Sequence, residues 1–171
     1  MEDGFELLTD RLRLRPYRPE DVDLLHPLFS DPEHMRFYPD TYSSERSEEW
    51  VARQLASYAE HRYGLWIVEE RATGGFLGTV GPTLQVVEGV EEVELGWHIR
   101  KDRWGEGIAP EAAVASRDWC WANLDVDHLI SLVRPENDPS ARVAEKIGMH
   151  VDRTASYKGL AHSVYRVDRP A

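Results

Sequence analysis

Residues 93–99 (VELGWHI) and 128–133 (HLISLV) are two apolar runs of strand length, separated by a glycine loop and one helix-length segment. Strand, loop, helix and strand in that order form a crossover unit, which lays the two strands side by side in parallel. The remaining elements must be arranged around this pair. Before it, LWIVEE (65–70), FLGTVGPTLQVV (76–87) and EEVELGWHIR (91–100) are separated by turns at RATGG and near Gly89, and predict an antiparallel meander of three strands.

The N-terminal part reads as strand, helix, helix. Leu12 and Leu14 alternate with Arg11, Arg13 and Arg15, the period of a half-buried strand that Pro16 closes. Pro19 stands at a first helical position with Glu20 and Asp21 in the first turn. Ser43 or Ser44 caps a longer helix running to about His61. Behind the glycine loop, Ile108, Ala112, Ala115, Trp119 and Ala122 fall on one helical stripe. In ENDPSARVAEKIGM, Asp138 is the expected N-cap, Pro139 N1 and Gly148 C′. Two segments, about 149–157 and 161–168, close the chain as a hairpin. The fold class is therefore α/β (α+β) with a mixed, mostly antiparallel sheet of about seven strands and four helices, and the 171 residues suit one domain, 1–171.

Composition narrows the function. No segment reaches the roughly 18 apolar residues of a membrane span, and the opening MEDGFELL is acidic and lacks the basic start of a secretion signal, which points to the cytoplasm. The lone Cys120 cannot form an internal disulfide, and no Cys/His spacing suggests a metal. A net charge of −11 argues against nucleic acid and favours cationic or amine-bearing substrates. Against this background, RKDR (100–103) is a basic island where an anion can settle.

The loop RWGEGIAPEA (103–112) is where chemistry enters. A helix N-terminus carries unpaired N–H groups and partial positive charge, and glycines let a phosphate approach them closely. A tight strand-to-helix turn would use the same residues. A Walker loop and a dinucleotide fingerprint are both excluded, because the Gly spacing is wrong and Pro110 stands where a third small residue belongs. Pro110 has no N–H, so an anion must be held by amides at about Gly105 to Ala109.

VELGWHIRKDRWGEGIAPEA, followed by RPENDPSARVAEKIGM (134–149), resembles the GNAT N-acetyltransferases, in particular the branch that acetylates N-terminal amines of ribosomal proteins. LTDRLRLRPYRPEDVDLL (8–25) and DPEHMRFYP (31–39) resemble that branch too, so the likeness covers nearly the whole chain. The family's cradle motif falls on Trp104, Gly107 and Ala109, with Trp in place of Gln or Arg. The resemblance implies a sheet splayed between its two central parallel strands, with acetyl-CoA as co-substrate in the opening and no metal. Trp97, His98 and Ile99 would pair with the pantetheine, and Trp104, Gly105, Glu106, Gly107, Ile108 and Ala109 would hold the pyrophosphate. Asn137 would meet the pantetheine arm, and Ser140 and Arg142 would touch cofactor one turn on. Helix capping is the plainer role for Asn137 and Ser140.

The implied reaction is acetyl transfer to a primary amine, from a peptide N-terminus or a small molecule, in a ternary complex. Glu94 resembles the acidic residue of the branch's E-L-G-Y/W strand and is the candidate base, although alternation also allows it to sit on a polar face. His98 shares that face, roughly 13 Å away along the strand, and is the second candidate. Family members often supply a tyrosine as acid where this chain has Ala144; Ser140, Tyr157 and Tyr165 are the hydroxyls that can substitute. Met35, Phe37, Tyr38 and Tyr42 either line the acceptor entrance or close a core. The expected assembly is a monomer or homodimer, without membrane or nucleic acid. A CoA-binding regulatory module without transfer activity is the alternative, motivated by Ala144.

Overall fold

A computed structural model describes residues 4–170. The acidic opening begins at Met1, and residues 1–3 lie outside the described residues. Eight strands form one sheet: β1 (Leu7–Leu8), β2 (Leu12–Pro16), β3 (Trp66–Glu70), β4 (Phe76–Val87), β5 (Val90–Ile99), β6 (His128–Val133), β7 (His150–Tyr157) and β8 (Leu160–Asp168). Their order is β1-β2-β3-β4-β5-β6-β8-β7, and only β5 and β6 run parallel. The helices are α1 (Val22–Phe29), α2 (Ser44–Glu60), α3 (Ile108–Asn123) and α4 (Asp138–Lys146). The eighth strand is the two-residue β1, too short to leave a pattern in the sequence.

Local rules explain most boundaries. Pro19 opens a single 3-10 turn that runs into α1. Ser43 caps α2 by accepting from the Arg46 N–H at 3.3 Å. At α4 the cap is Asn137, not Asp138: the Asn137 side-chain Oδ1 accepts from the Ser140 N–H at 3.2 Å, which moves Pro139 one position into the helix. The helix ends in a Schellman turn, with Gly148 N–H donating to Glu145 O and Met149 N–H to Ala144 O.

The buried stripe of α3 runs through Ile108, Ala112, Ala113, Ser116 and Cys120, turned from the stripe expected over 108–122. The rotation follows from α3 lying across β4 and β5 while Trp119 is drawn toward Trp66, whose ring centre is 5.0 Å away. In β2, Leu12 and Leu14 are buried as the alternation requires, but so is Arg15. Its guanidinium donates to both Asp21 oxygens at 2.7 and 2.8 Å and to Glu69 at 2.7 Å, a buried ion pair that anchors the turn before α1 to the sheet.

The side chains of β5 divide between two layers. His98 packs against Phe29 of α1 and Trp50 of α2, whereas Trp97 reaches Ser140 of α4. Even-numbered residues of β5 thus face the α1–α2 layer, and odd-numbered ones face α4.

Candidate active site

The parallel pair barely holds together. β5 and β6 share one register pair, Glu94 with Ile130, and beyond it the strands diverge. The Arg100 N–H donates to Leu77 O at 2.9 Å, which sets the phase of the β4–β5 ladder. Even-numbered peptide groups of β5 bond to β4, and odd-numbered ones turn to the β6 side. His98 therefore spends its peptide on β4. The peptide N–H groups of Trp97 and Ile99 face the gap.

Side chains cap the edges where the strands part. Ser131 Oγ donates to Leu95 O at 2.7 Å, the Trp104 indole N–H donates to Ile99 O at 2.7 Å, and the Leu132 N–H donates to Glu94 Oε1 at 3.2 Å. Each of these groups would otherwise be a ladder partner left unmade, and an unmade buried bond costs about 1–3 kcal/mol. The gap is thus a stable feature of the sheet.

It opens into a cleft of about 370 Å³, lined by Trp97, His98, Ile99, Trp104, Gly105, Gly107, Ile108, Ala109, Asn137, Ser140 and Arg142. These residues, forecast from separate parts of the chain, lie on one surface. Glu106 does not line it: its carboxylate pairs with Arg103 at 2.9 Å, and its carbonyl accepts from Arg11. Gly105 and Gly107 have φ of 82° and 79°, and Gly107 is the N-cap of α3, so the turn bares the first amides of that helix. Pro110 falls at the third helical position, where its missing N–H costs no bond.

The basic island behaves differently from expectation. Arg100 pairs with Asp102, Lys101 with Asp31 and Arg103 with Glu70 and Glu106, so RKDR is neutralised by its neighbours. The cleft's available cations are instead Arg36, Arg142 and Lys146, none of which has an acid within ion-pair distance among the described residues. Lys146 lies one turn beyond Arg142 on α4, a spacing visible in the sequence; nothing there could have marked Arg36 in an irregular loop. The open peptide groups, the glycine turn and these cations fit a co-substrate with amide and phosphate groups.

Glu94 stands at the vertex of the gap. Oε2 accepts from Gln85 Nε2 at 2.7 Å and from Thr83 at 3.4 Å, and Gln85 is itself held by the Tyr157 hydroxyl at 2.6 Å. It is half-buried and fully hydrogen-bonded, unlike a residue on a solvated face. Burial raises its carboxyl above the usual carboxylate range despite the donors from Gln85, Leu132 and Thr83. His98 has other partners: His34 Nε2 at 3.1 Å from its Nδ1, and the Tyr38 hydroxyl at 3.2 Å from its Nε2. Burial pulls the His98 imidazole down to about 3 and that of His34 down to about 4.

The candidates for the acceptor entrance split. Met35 and Tyr42 are buried in the core, while Phe37 and Tyr38 line the cleft. Ala144 is fully buried; of the three hydroxyls weighed in its place, Tyr165 is packed in the core, Tyr157 donates to Gln85, and Ser140 lines the cleft, accepting from the Trp97 indole at 3.3 Å.

The sequence model of the acetyltransferase (GNAT) domain matches residues 11–150. The chain belongs to the GNAT acetyltransferases. The acetyltransferase is 37% identical over 150 residues to the Bacillus subtilis protein YkkB, covering 87% of each chain. A crystal structure of an acetyltransferase from Agrobacterium tumefaciens superposes with a TM-score of 0.85 at 30% identity, covering 99% of this chain and 97% of that one. The fold is also that of RimL, a ribosomal L7/L12 alpha-N-protein acetyltransferase solved with coenzyme A, at TM-score 0.77 and 14% identity over 96% of this chain and 98% of that one. Acetyl transfer to an amine with acetyl-CoA as donor is the chemistry of this family. Among the described residues of this acetyltransferase, no helix is long and apolar enough to cross a membrane, and no three His, Cys, Asp or Glu side chains converge as a metal site.

Proposed function

We propose that this enzyme transfers an acetyl group from acetyl-CoA to a primary amine by direct attack within a ternary complex. The observation that carries the reading is the gap after Glu94 and Ile130, whose free peptide groups lead straight to the glycine turn at the start of α3. Trp97, Ile99, Asn137, Ser140 and Arg142 would hold the pantetheine side, and residues 104–109 the pyrophosphate, with Glu106 contributing its peptide alone.

The acceptor nitrogen attacks the thioester carbonyl, a C–N bond forms and the C–S bond breaks. Holding both reactants in one cleft supplies proximity. The peptide N–H of Trp97 or Ile99 is placed to donate to the carbonyl oxygen as charge develops on it. Glu94 takes the amine proton: it borders the gap, and its raised carboxyl is closer to the proton affinity a base needs at neutral pH than an ordinary glutamate. The His98 imidazole, held down to about 3, is too weakly basic for that task and instead shapes the acceptor side. Ser140 is the hydroxyl nearest to serving the departing thiol, in place of the tyrosine that Ala144 replaces. We place the enzyme in the cytoplasm as one folded unit, a monomer or homodimer.

The test is release of free thiol from acetyl-CoA with a panel of amines. Acceptor-dependent release establishes transfer. Stabilisation by acetyl-CoA with no release from any amine would instead favour the regulatory-module reading that Ala144 motivates.

A further inference from the structure

Three cations on the Tyr157 side of Glu94 make no ion pair among the described residues. Arg46 and Arg53 project from α2, and Lys158 stands at the β7–β8 turn. Each lies over an aromatic ring: the Arg46 guanidinium 4.1 Å from the Tyr42 centroid, that of Arg53 5.5 Å from Trp50, and Lys158 Nζ 4.9 Å from Tyr157. The rings form one wall with the site. Tyr42 lies 5.8 Å from Trp50, Trp50 lies 6.0 Å from His98, and Tyr157 connects through Gln85 to Glu94.

In the basic island this acidic chain neutralises its cations, whereas in the cofactor cleft Arg36, Arg142 and Lys146 stay without an acid among the described residues, ready for an anion. The three cations here are left in the same way. Glu45, Glu48 and Glu49 share α2 with the two arginines, yet none comes within ion-pair distance of them, and Glu88 beside the hairpin accepts from the Ser156 N–H. Burial lowers the Lys158 ammonium, Arg53 and Arg46 repel it further, and Glu94 is the acid that opposes them. Like charges left facing one another are relieved by an anion between them.

We propose that Arg46, Arg53 and Lys158 form an anion subsite for the acceptor, so that the preferred amine carries an acidic group close to its nitrogen. The amine lies at Glu94 and the acid against the three cations. This rests on the acetyl-transfer reading and names its substrate class. The acid can come from acidic residues following a peptide N-terminus or from a free amino acid.

The experiment follows thiol release with the matched peptides Ala-Asp-Glu-Phe, Ala-Asn-Gln-Phe and Ala-Lys-Lys-Phe, and with aspartate against its diamide. The acidic member of a set should exceed its neutral counterpart by about tenfold or more in kcat/KM, through KM, with the advantage shrinking as salt is added. The set that shows the difference identifies the source. In an Arg53→Gln, Lys158→Gln double variant the acidic-to-neutral ratio should fall towards one, and Arg62→Gln, an exposed arginine just beyond α2, should keep it. Equal or better turnover of neutral or basic members, or a ratio retained in the double variant, overturns the proposal. If no acceptor releases thiol, the transfer reading fails, and calorimetry of the acidic peptide on CoA-saturated protein still decides the subsite. Binding lost in the double variant upholds it, and absence of binding overturns it.

Discussion

Glu94 serves two ends with one carboxylate. Oε1 satisfies the Leu132 N–H where β5 and β6 part, and Oε2 accepts from Gln85. Glu94→Gln separates structure from chemistry, because its amide oxygen can still accept from Leu132 while the base is gone. For a base, kcat/KM at pH 7 should drop by about 100-fold. In the wild type the base works deprotonated and its pKa is raised, so kcat/KM should decline as pH falls through that pKa. The acid limb should vanish in the variant. A variant that merely melts earlier, with the limb intact, would assign Glu94 to the sheet alone. The family resemblance of the VELGW strand singled out Glu94, and strand alternation put His98 on the same face. Neither signal pointed to Gln85, which meets Glu94 across the β4–β5 hairpin, or to Ser131, which reaches Leu95 from a strand far off in the chain.

The glycine turn can be tested as an element. Gly107 has φ of 79°, which aspartate adopts more readily than most residues, so Gly107→Asp should fold while placing a negative charge at the head of α3. Calorimetry should show CoA binding weakened by about tenfold or more, whereas Gly107→Ala, carrying backbone strain of about 1–2 kcal/mol and no charge, should lose far less. Equal losses would assign the effect to backbone shape and remove the charge argument. This element was legible because its signals are local: two glycines, a proline and a helical pattern lie within ten residues. Other features were not local. The α4 cap moved by one residue because Asn137 and Asp138 are both good caps, and the α3 stripe turned because the sheet beneath it, not its own periodicity, chose the buried face. The basic island misled for the same reason, since Asp31 and Glu70, which neutralise it with Asp102 and Glu106, come from distant segments.

At the scale of the whole molecule, net charge was easy to read and its distribution was hidden. A balance of −11 pointed to a cationic or amine-bearing acceptor, whereas the setting of Arg46, Arg53 and Lys158 over Tyr42, Trp50 and Tyr157 emerges only once α2 and the closing hairpin are in place. Titration of the whole fold offers a last prediction. His98 is buried, with its imidazole down to about 3, and His34 beside it down to about 4, whereas an unfolded chain protonates histidine near 6.5. Below that value the unfolded state binds protons that the folded state refuses, so folding stability is full above about pH 6.5 and declines as pH falls towards the folded values. Each histidine held neutral adds at most about 1.4 kcal/mol per pH unit to that slope. His98→Phe keeps a ring against Phe29 and Trp50 but frees the partners of the imidazole, so its absolute stability should drop while its dependence on pH between 7 and 5 flattens. Most carboxylates titrate below this range and the raised Glu94 is common to both proteins, so the difference between wild type and variant in denaturant unfolding at pH 7, 6 and 5 reports the His98 imidazole. A wild-type slope no steeper than the variant's would mean that the His98 imidazole accepts a proton in the folded protein, and with it that the wall behind the acceptor side is charged.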